Sequence, residues 1–362
     1  MEGKRNTTLS ICKGIGIILM VIGHARCPGR LCAFIYMFHM PLFFIASGYF
    51  FATKYTHSKW TFFKKKVRGL YLPFVEWSLI FLALHNILVL SKLEYQEGNT
   101  FMHPYNWATT WMLAKSIVLK MGGYDQMMLA TFWFLRSLFV GNIVFCFLFF
   151  LINKFVKSEL KTALVICILA FAGGLALSWN QTDIPYIPQG GAREIYAIFY
   201  IGVGFIFHRL PLNECGNKDK WLLAGSFTFV LIYSIVHPTT LRFCPDTVLY
   251  LNTFLPGMVG FIMVYKASQY IDSHPSFLQR MLKYTGCHTL SILTLSMLSF
   301  KVVNLIKIAV FQLPIGRIGD FPVINIYNDF FWILYSAVGV ALPLILATVY
   351  LRLKRNFIHL KK

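Results

Sequence analysis

Two histidines, His24 and His39, stand inside the apolar stretch LMVIGHARCPGRLCAFIYMFHMPLFFIASGYFF, residues 19–51. An imidazole has an unperturbed pKa of about 6.5, which suits proton transfer at neutral pH, and it can also attack an acyl carbon. Three more polar groups lie in apolar surroundings: Arg136 in FWFLRSLF, and Arg193 and Glu194 in GAREIYAIFY. An Arg at the centre of a bilayer costs at least about 2.5–3.5 kcal/mol, so Arg136 is expected to face a cavity or a carboxylate. His24, His39, Arg136, Arg193 and Glu194 form the candidate catalytic set. Each also has a structural use: His24 as a wet interfacial ring, His39 bonded to a carbonyl, Arg193 and Glu194 as snorkelling residues.

A second feature is the run FFKKKVRGLYLPF, residues 62–74. Lys64, Lys65, Lys66 and Arg68 there are expected to precede a membrane span. They serve either as a topology signal that touches anionic headgroups, about 1 kcal/mol per charge, or as a clamp on the phosphates of an anionic cosubstrate. The spacing leaves both open.

The elements that must position these residues follow from composition. The chain has 362 residues, of which 57% are hydrophobic, 17% aromatic and only 13% charged, with 35 Phe. Soluble domains carry roughly a quarter charged residues. The fold class is therefore all-α: a polytopic transmembrane helix bundle, one integral-membrane domain over residues 1–362. A crossing helix needs about 20 mostly apolar residues. About ten spans are expected, near 8–24, 31–52, 70–91, 131–152, 161–179, 193–209, 221–237, 247–267, 286–306 and 327–351. The first reads as a retained helix rather than a cleaved leader. The connection 92–130 contains WATTWMLAKSIVL, expected as a short interfacial or re-entrant helix. No internal repeat is evident.

The net charge of +20 invites a nucleic-acid reading. With both termini cytoplasmic, however, 22 of the 34 Lys and Arg fall on the cytoplasmic side, 9 on the other and 3 (Lys13, Arg136, Lys301) within spans. That is the cytoplasmic bias of basic residues, and no nucleic-acid partner is expected. On this map His24, His39, Arg136, Arg193 and Glu194 share one depth near the non-cytoplasmic face. That permits one polar pocket. The Cys residues show no CxxC pair, and the spacing of His24, His39 and Glu194 demands no ion, so no metal is expected. Cys27 and Cys32 flank a Pro-Gly turn, either as a disulfide or as two small apolar residues.

The order of several motifs resembles the acyltransferase type 3 membrane proteins, with the branch of fucose or polysaccharide O-acetyltransferases nearest. They are KGIGIILMVIGHA (13–25), FHMPLFFIASGYFF (38–51), KKKVRGLYLPF (64–74), FWFLRSLF (132–139), GAREIYAIFYIGVGF (191–205) and TGCHTLSILTLSMLSFKVVN (285–304). Three positions depart from the family pattern. Ser10 stands where an Asp is usual, His288 where an Asn is usual, and Ser296 where a His is usual.

The resemblance implies transfer of an acetyl or small acyl group from cytoplasmic acetyl-CoA, a cosubstrate, to a hydroxyl of an envelope glycan or lipid-linked sugar. It also implies a bacterial cytoplasmic (inner) membrane and contact with membrane lipids. His24 would be the essential histidine, as base or nucleophile. His39 and Arg68 would be site residues, and Arg5 would match the basic position before the first span. Lys64–Lys66 and Arg68 would hold the CoA phosphates, with the acyl arm threading inward to the histidines. A transporter or flippase for a lipid-linked glycan, or a catalytically diverged relative, would use the same buried polar groups.

Overall fold

The computed structural model describes residues 6–53, 58–94, 103–210, 218–242, 245–327 and 330–359. Arg5 lies outside them. The described residues form fourteen α-helices and no strand. The first three are α1 (Thr7–His24), α2 (Gly29–Tyr36) and α3 (His39–Tyr49). Next come α4 (Lys59–Lys66), α5 (Leu72–Leu90), α6 (Trp107–Lys120) and α7 (Trp133–Val156). Then follow α8 (Glu159–Asn180), α9 (Ala192–Phe207), α10 (Lys218–Val236) and α11 (Thr247–Asp272). The last are α12 (Phe277–Cys287), α13 (Thr289–Phe311) and α14 (Phe331–His359). Ten helical stretches are long and apolar enough to cross a membrane, and each coincides with an expected span.

Polar residues mark where helices begin. Asn6, Asn106, Asp246 and Ser276 each accept a backbone N–H of the first turn, starting α1, α6, α11 and α12, the usual satisfaction of N-terminal orphan donors. One close crossing is α3 against α9. A Cβ at Gly48 would come 1.9 Å from the Ile201 carbonyl oxygen, and one at Gly204 would come 2.0 Å from that of Ile45. Only glycine lets these backbones meet, as small residues do between membrane helices.

Two spans differ from expectation. The second, 31–52, is broken at Met37–Phe38 into α2 and α3, so His39 opens a new helix. Pro41 falls in the first turn of α3, where a missing N–H costs nothing. The third begins at Lys59, because α4 continues into α5 through a widened π turn, Val67–Tyr71. Lys64–Lys66 and Arg68 are therefore on the helix rather than in a loop before it. Aromatic rings make that tolerable: Lys59 Nζ lies 3.2 Å over Phe150, Lys64 5.0 Å over Trp60 and Lys66 5.2 Å over Phe62.

The WATTWMLAKSIVL segment is α6. At 14 residues it is about 21 Å long, too short to cross. It pairs antiparallel with α5: Asn86 brackets Tyr105 through two hydrogen bonds, and the Tyr71 hydroxyl donates to the Val118 carbonyl at 2.6 Å. Cys27 and Cys32 are free thiols.

Candidate active site

One stripe of α1 organises the site. Lys13, Ile17, Met20 and His24 recur at helical spacing, and eleven residues of helix rise about 16 Å. The stripe lines two cavities set end to end. The first, about 230 Å³, is lined by Lys13, Ile17, Met20, Met40, Phe43 and Ser47, among others, and extends to α7 and α13. The second, about 270 Å³, is lined by Met20, His24, Tyr36, His39, Met40, Gln126, Trp133, Gln189 and Arg193, among others. Met20 and Met40 line both. Methionine is unbranched and adaptable, so the two residues the cavities share carry side chains that can shift.

The break before α3 sets the His39 ring. His39 is buried, and its Nδ1 lies 2.9 Å from the Ile35 carbonyl oxygen. A carbonyl only accepts, so Nδ1 carries the proton and Nε2 is the basic atom. Tyr36 packs between the two histidines, edge-on to His39 at 5.1 Å and to His24 at 6.4 Å between ring centroids. The Tyr36 hydroxyl donates to the Gly23 carbonyl at 3.3 Å, tying α2 to the end of α1.

Two arginines meet on one amide. Arg136 Nε donates to Glu194 Oε1 at 2.8 Å, and its Nη2 donates to Gln189 Oε1 at 3.2 Å. Arg193 Nη1 donates to the same Gln189 oxygen at 3.0 Å. Arg193 also donates through Nε to the Leu241 carbonyl at 3.1 Å and lies 4.0 Å over the Trp133 ring. Ser137 Oγ donates to Glu194 Oε1 at 2.9 Å. Arg136 and Glu194 are 1% and 2% exposed, so each cancels a charge the other could not bury alone. Removing one partner of such a pair costs about 3–5 kcal/mol.

The expected five residues thus divide. The second cavity brings together His24, His39 and Arg193, while Arg136 and Glu194 stand behind its wall and hold Gln189 and Arg193 in place. Gln189 has φ +60°, followed by Gly190 at +76° and Gly191 at +82°. A non-glycine residue held there costs on the order of 1–3 kcal/mol, and such strain concentrates at functional sites. A Cβ on Gly190 would come 2.0 Å from Asp183 Oδ1, so the turn requires glycine. Tyr124, outside the crossing helices, lies close to both arginines. Burial raises its phenol above the ordinary value, and its hydroxyl has no hydrogen-bond partner among the described residues.

Of the basic run, Lys66 turns inward. Its Nζ donates to Ser47 Oγ at 3.3 Å, Ser47 donates to Asn142 Oδ1 at 3.0 Å, and Asn142 donates to the Leu138 carbonyl at 2.6 Å. Ser47 and Gly69 line the first cavity. Lys64, Lys65 and Arg68 are exposed. Ser10 is buried and donates to the Asn6 carbonyl at 3.0 Å, while buried Ser296 Oγ has no hydrogen-bond partner among the described residues. Neither they nor His288 line the two cavities.

Sequence reasoning missed Tyr36, Gln126, Trp133 and Gln189, which line the second cavity. Gln189 alone left a trace, the PQGG turn directly before ARE.

A basic imidazole, a guanidinium and two amides around one space can accept a proton from a hydroxyl and donate to a developing oxyanion. Acyl transfer to a hydroxyl needs both. No curated protein and no solved structure matches the chain. A family model described as Acyltransferase domain matches residues 6–352, essentially all of it, so this protein, with ten helical stretches of membrane-crossing length among its described residues, belongs to the acyltransferase type 3 family of membrane acyltransferases.

Proposed function

We propose that the protein moves an acetyl or other small acyl group from acetyl-CoA to a hydroxyl of an envelope glycan or lipid-linked sugar. Its setting is a bacterial cytoplasmic membrane, with both termini cytoplasmic. The donor enters the first cavity, its phosphates near Lys66, Arg68 and the exposed Lys64 and Lys65. Its acyl arm passes between Met20 and Met40. The acceptor occupies the second cavity.

In the reaction the sugar oxygen attacks the thioester carbon, and its proton moves to the basic nitrogen of His24 or His39. Arg193 donates to the tetrahedral oxyanion while Gln189 orients the guanidinium. Collapse breaks the C–S bond, forms the ester, and returns the proton to the departing thiolate. His24 serves as this base, or attacks first and carries the acyl group. A positioned base contributes typically about 10²–10⁴-fold.

The observation that carries this reading is the end-to-end pair of cavities sharing Met20 and Met40. Met20 and Met40 then stand between a thioester held in the first cavity and the imidazoles of the second. The test is thiol release from acetyl-CoA by the purified protein, with and without candidate sugars. Acceptor-dependent release of free CoA is expected. A glycan transporter would release none, and a diverged relative would bind acetyl-CoA without turnover.

A further inference from the structure

A second polar cluster lies outside both cavities. His85 near the end of α5, Glu94 in the following turn and Asp125 in the 121–132 loop converge. His85 Nδ1 is 3.3 Å from Glu94 Oε2 and 3.7 Å from Asp125 Oδ2. One ligand atom from each residue lies within 4.8 Å of the others. The side chains of Glu94 and Asp125 are 2% and 6% exposed. Glu94 Oε1 and Asp125 Oδ2 have no hydrogen-bond partner among the described residues. A buried carboxylate oxygen left unpaired costs more than a neutral polar atom; Glu94 Oε1 is such an atom, and Asp125 Oδ2 has only the 3.7 Å approach of His85 Nδ1.

The imidazole is oriented as a ligand. Its Nε2 lies 3.1 Å from the His103 carbonyl oxygen and therefore carries a proton. The ring stacks on Tyr105 at 3.8 Å with a 9° tilt. Nδ1 is thereby aimed at the two carboxylates. Metal-bound histidines characteristically donate their other N–H to a carbonyl in this manner. Asp125 Oδ1 accepts the backbone N–H of Met127 and Met128 at 2.8 and 2.9 Å, which turns Oδ2 toward His85. Lys301 commits its ammonium to the Gly319 and Asp320 carbonyls.

We propose that His85, Glu94 and Asp125 hold a divalent transition-metal ion through His85 Nδ1 and one oxygen of each carboxylate. Ligand atoms of a tetrahedral ion bound at about 2.1 Å are about 3.4 Å apart, close to the spacing of Nδ1 from both oxygens. One imidazole with two carboxylates favours zinc over the all-oxygen ions magnesium and calcium, with water completing the shell. The ion would fasten the end of α5 and the turn after it to the loop that supplies Gln126, Ala130 and Thr131 to the second cavity. It acts on the wall of that cavity and takes no part in the transfer chemistry.

The other occupant of the same space is a proton on Nδ1, giving an imidazolium between two carboxylates. Zinc titration decides between them. The full chain, freed of any purification tag and treated with chelator, is titrated in detergent with Zn²⁺ by calorimetry, and bound metal is counted by mass spectrometry. One ion per chain and a higher thermal midpoint with Zn²⁺ are expected. Glu94→Gln and Asp125→Asn keep shape, and Asn at 125 keeps the Oδ1 acceptor. Each should weaken Zn²⁺ binding by at least about tenfold, while His24→Ala leaves it unchanged. Wild-type protein that melts cooperatively yet takes up no Zn²⁺ would overturn the proposal. So would uptake that both carboxylate variants retain in full.

Discussion

The two cavities share a wall and differ in chemistry. The first sets Lys13, Ser47 and Thr289 among aliphatic and aromatic side chains. The second gathers two imidazoles, a guanidinium, two amides, a phenol and an indole. An apolar, adaptable cavity suits a long flexible chain that must slide without reacting. A polar pocket with preset donors suits a hydroxyl about to lose its proton. In the proposed function, holding the donor and performing the reaction fall to different residues of one α1 stripe. Variants should sort accordingly, with the second cavity governing kcat and the first governing KM for the donor.

The largest effect should come from His24→Ala. Thiol release should fall by about 10²–10⁴-fold, while acetyl-CoA binding, measured by calorimetry, stays within about twofold of wild type. Loss of donor binding in this variant would erase the distinction between the cavities. Next comes the partition. Met20→Trp fills the passage between them with a rigid ring. Release should drop by about 10²-fold, the scale of a misplaced reacting group, although no catalytic side chain has changed. Near-normal turnover would mean the acyl group reaches the second cavity by another way.

The contrast also explains what the sequence disclosed. The ten spans were legible because hydrocarbon thickness writes a length into composition, and all ten recur in the fold. His24, His39 and Arg193 stood out because ionisable groups are costly in apolar segments, and they do meet in one cavity. Arg136 and Glu194 looked the same by that criterion yet stand behind the wall. Cost of burial marks a charge without saying whether substrate or another residue answers it. Gln189 and Tyr36 are neutral and carried no such mark. The break at Met37–Phe38 was hidden because the residues around it, Phe34 to Phe38, are all apolar or aromatic. His85, Glu94 and Asp125 come from three separate segments, so no spacing announced them. The basic run was noticed as a block, but only the fold separates inward Lys66 from exposed Lys64, Lys65 and Arg68.

That separation gives the third test. Lys66→Met removes the ammonium bonded to Ser47 on the wall of the first cavity. Hydrogen bonds to charged groups are worth about 1.5–3 kcal/mol, roughly 10- to 100-fold. This loss should appear in KM for the donor with kcat little changed. A fall in kcat at constant KM would place Lys66 on the chemical side of the partition instead.

The smallest effect should come from Lys64→Gln with Lys65→Gln. Both residues are exposed, and Lys64 rests over Trp60 at the surface. Exposed charges contribute about 0.2–1 kcal/mol each and are screened over about 8 Å at physiological salt. The pair should therefore weaken donor capture by less than about tenfold at low ionic strength and leave no difference in molar salt, where screening acts over about 3 Å. Salt is the discriminating variable, because attraction through water fades with it and a desolvated contact does not. If the loss persists in molar salt, these lysines grip the donor directly. The first cavity must then extend along α4 to the surface, and the division of labour begins one helical turn earlier than the lining of that cavity indicates.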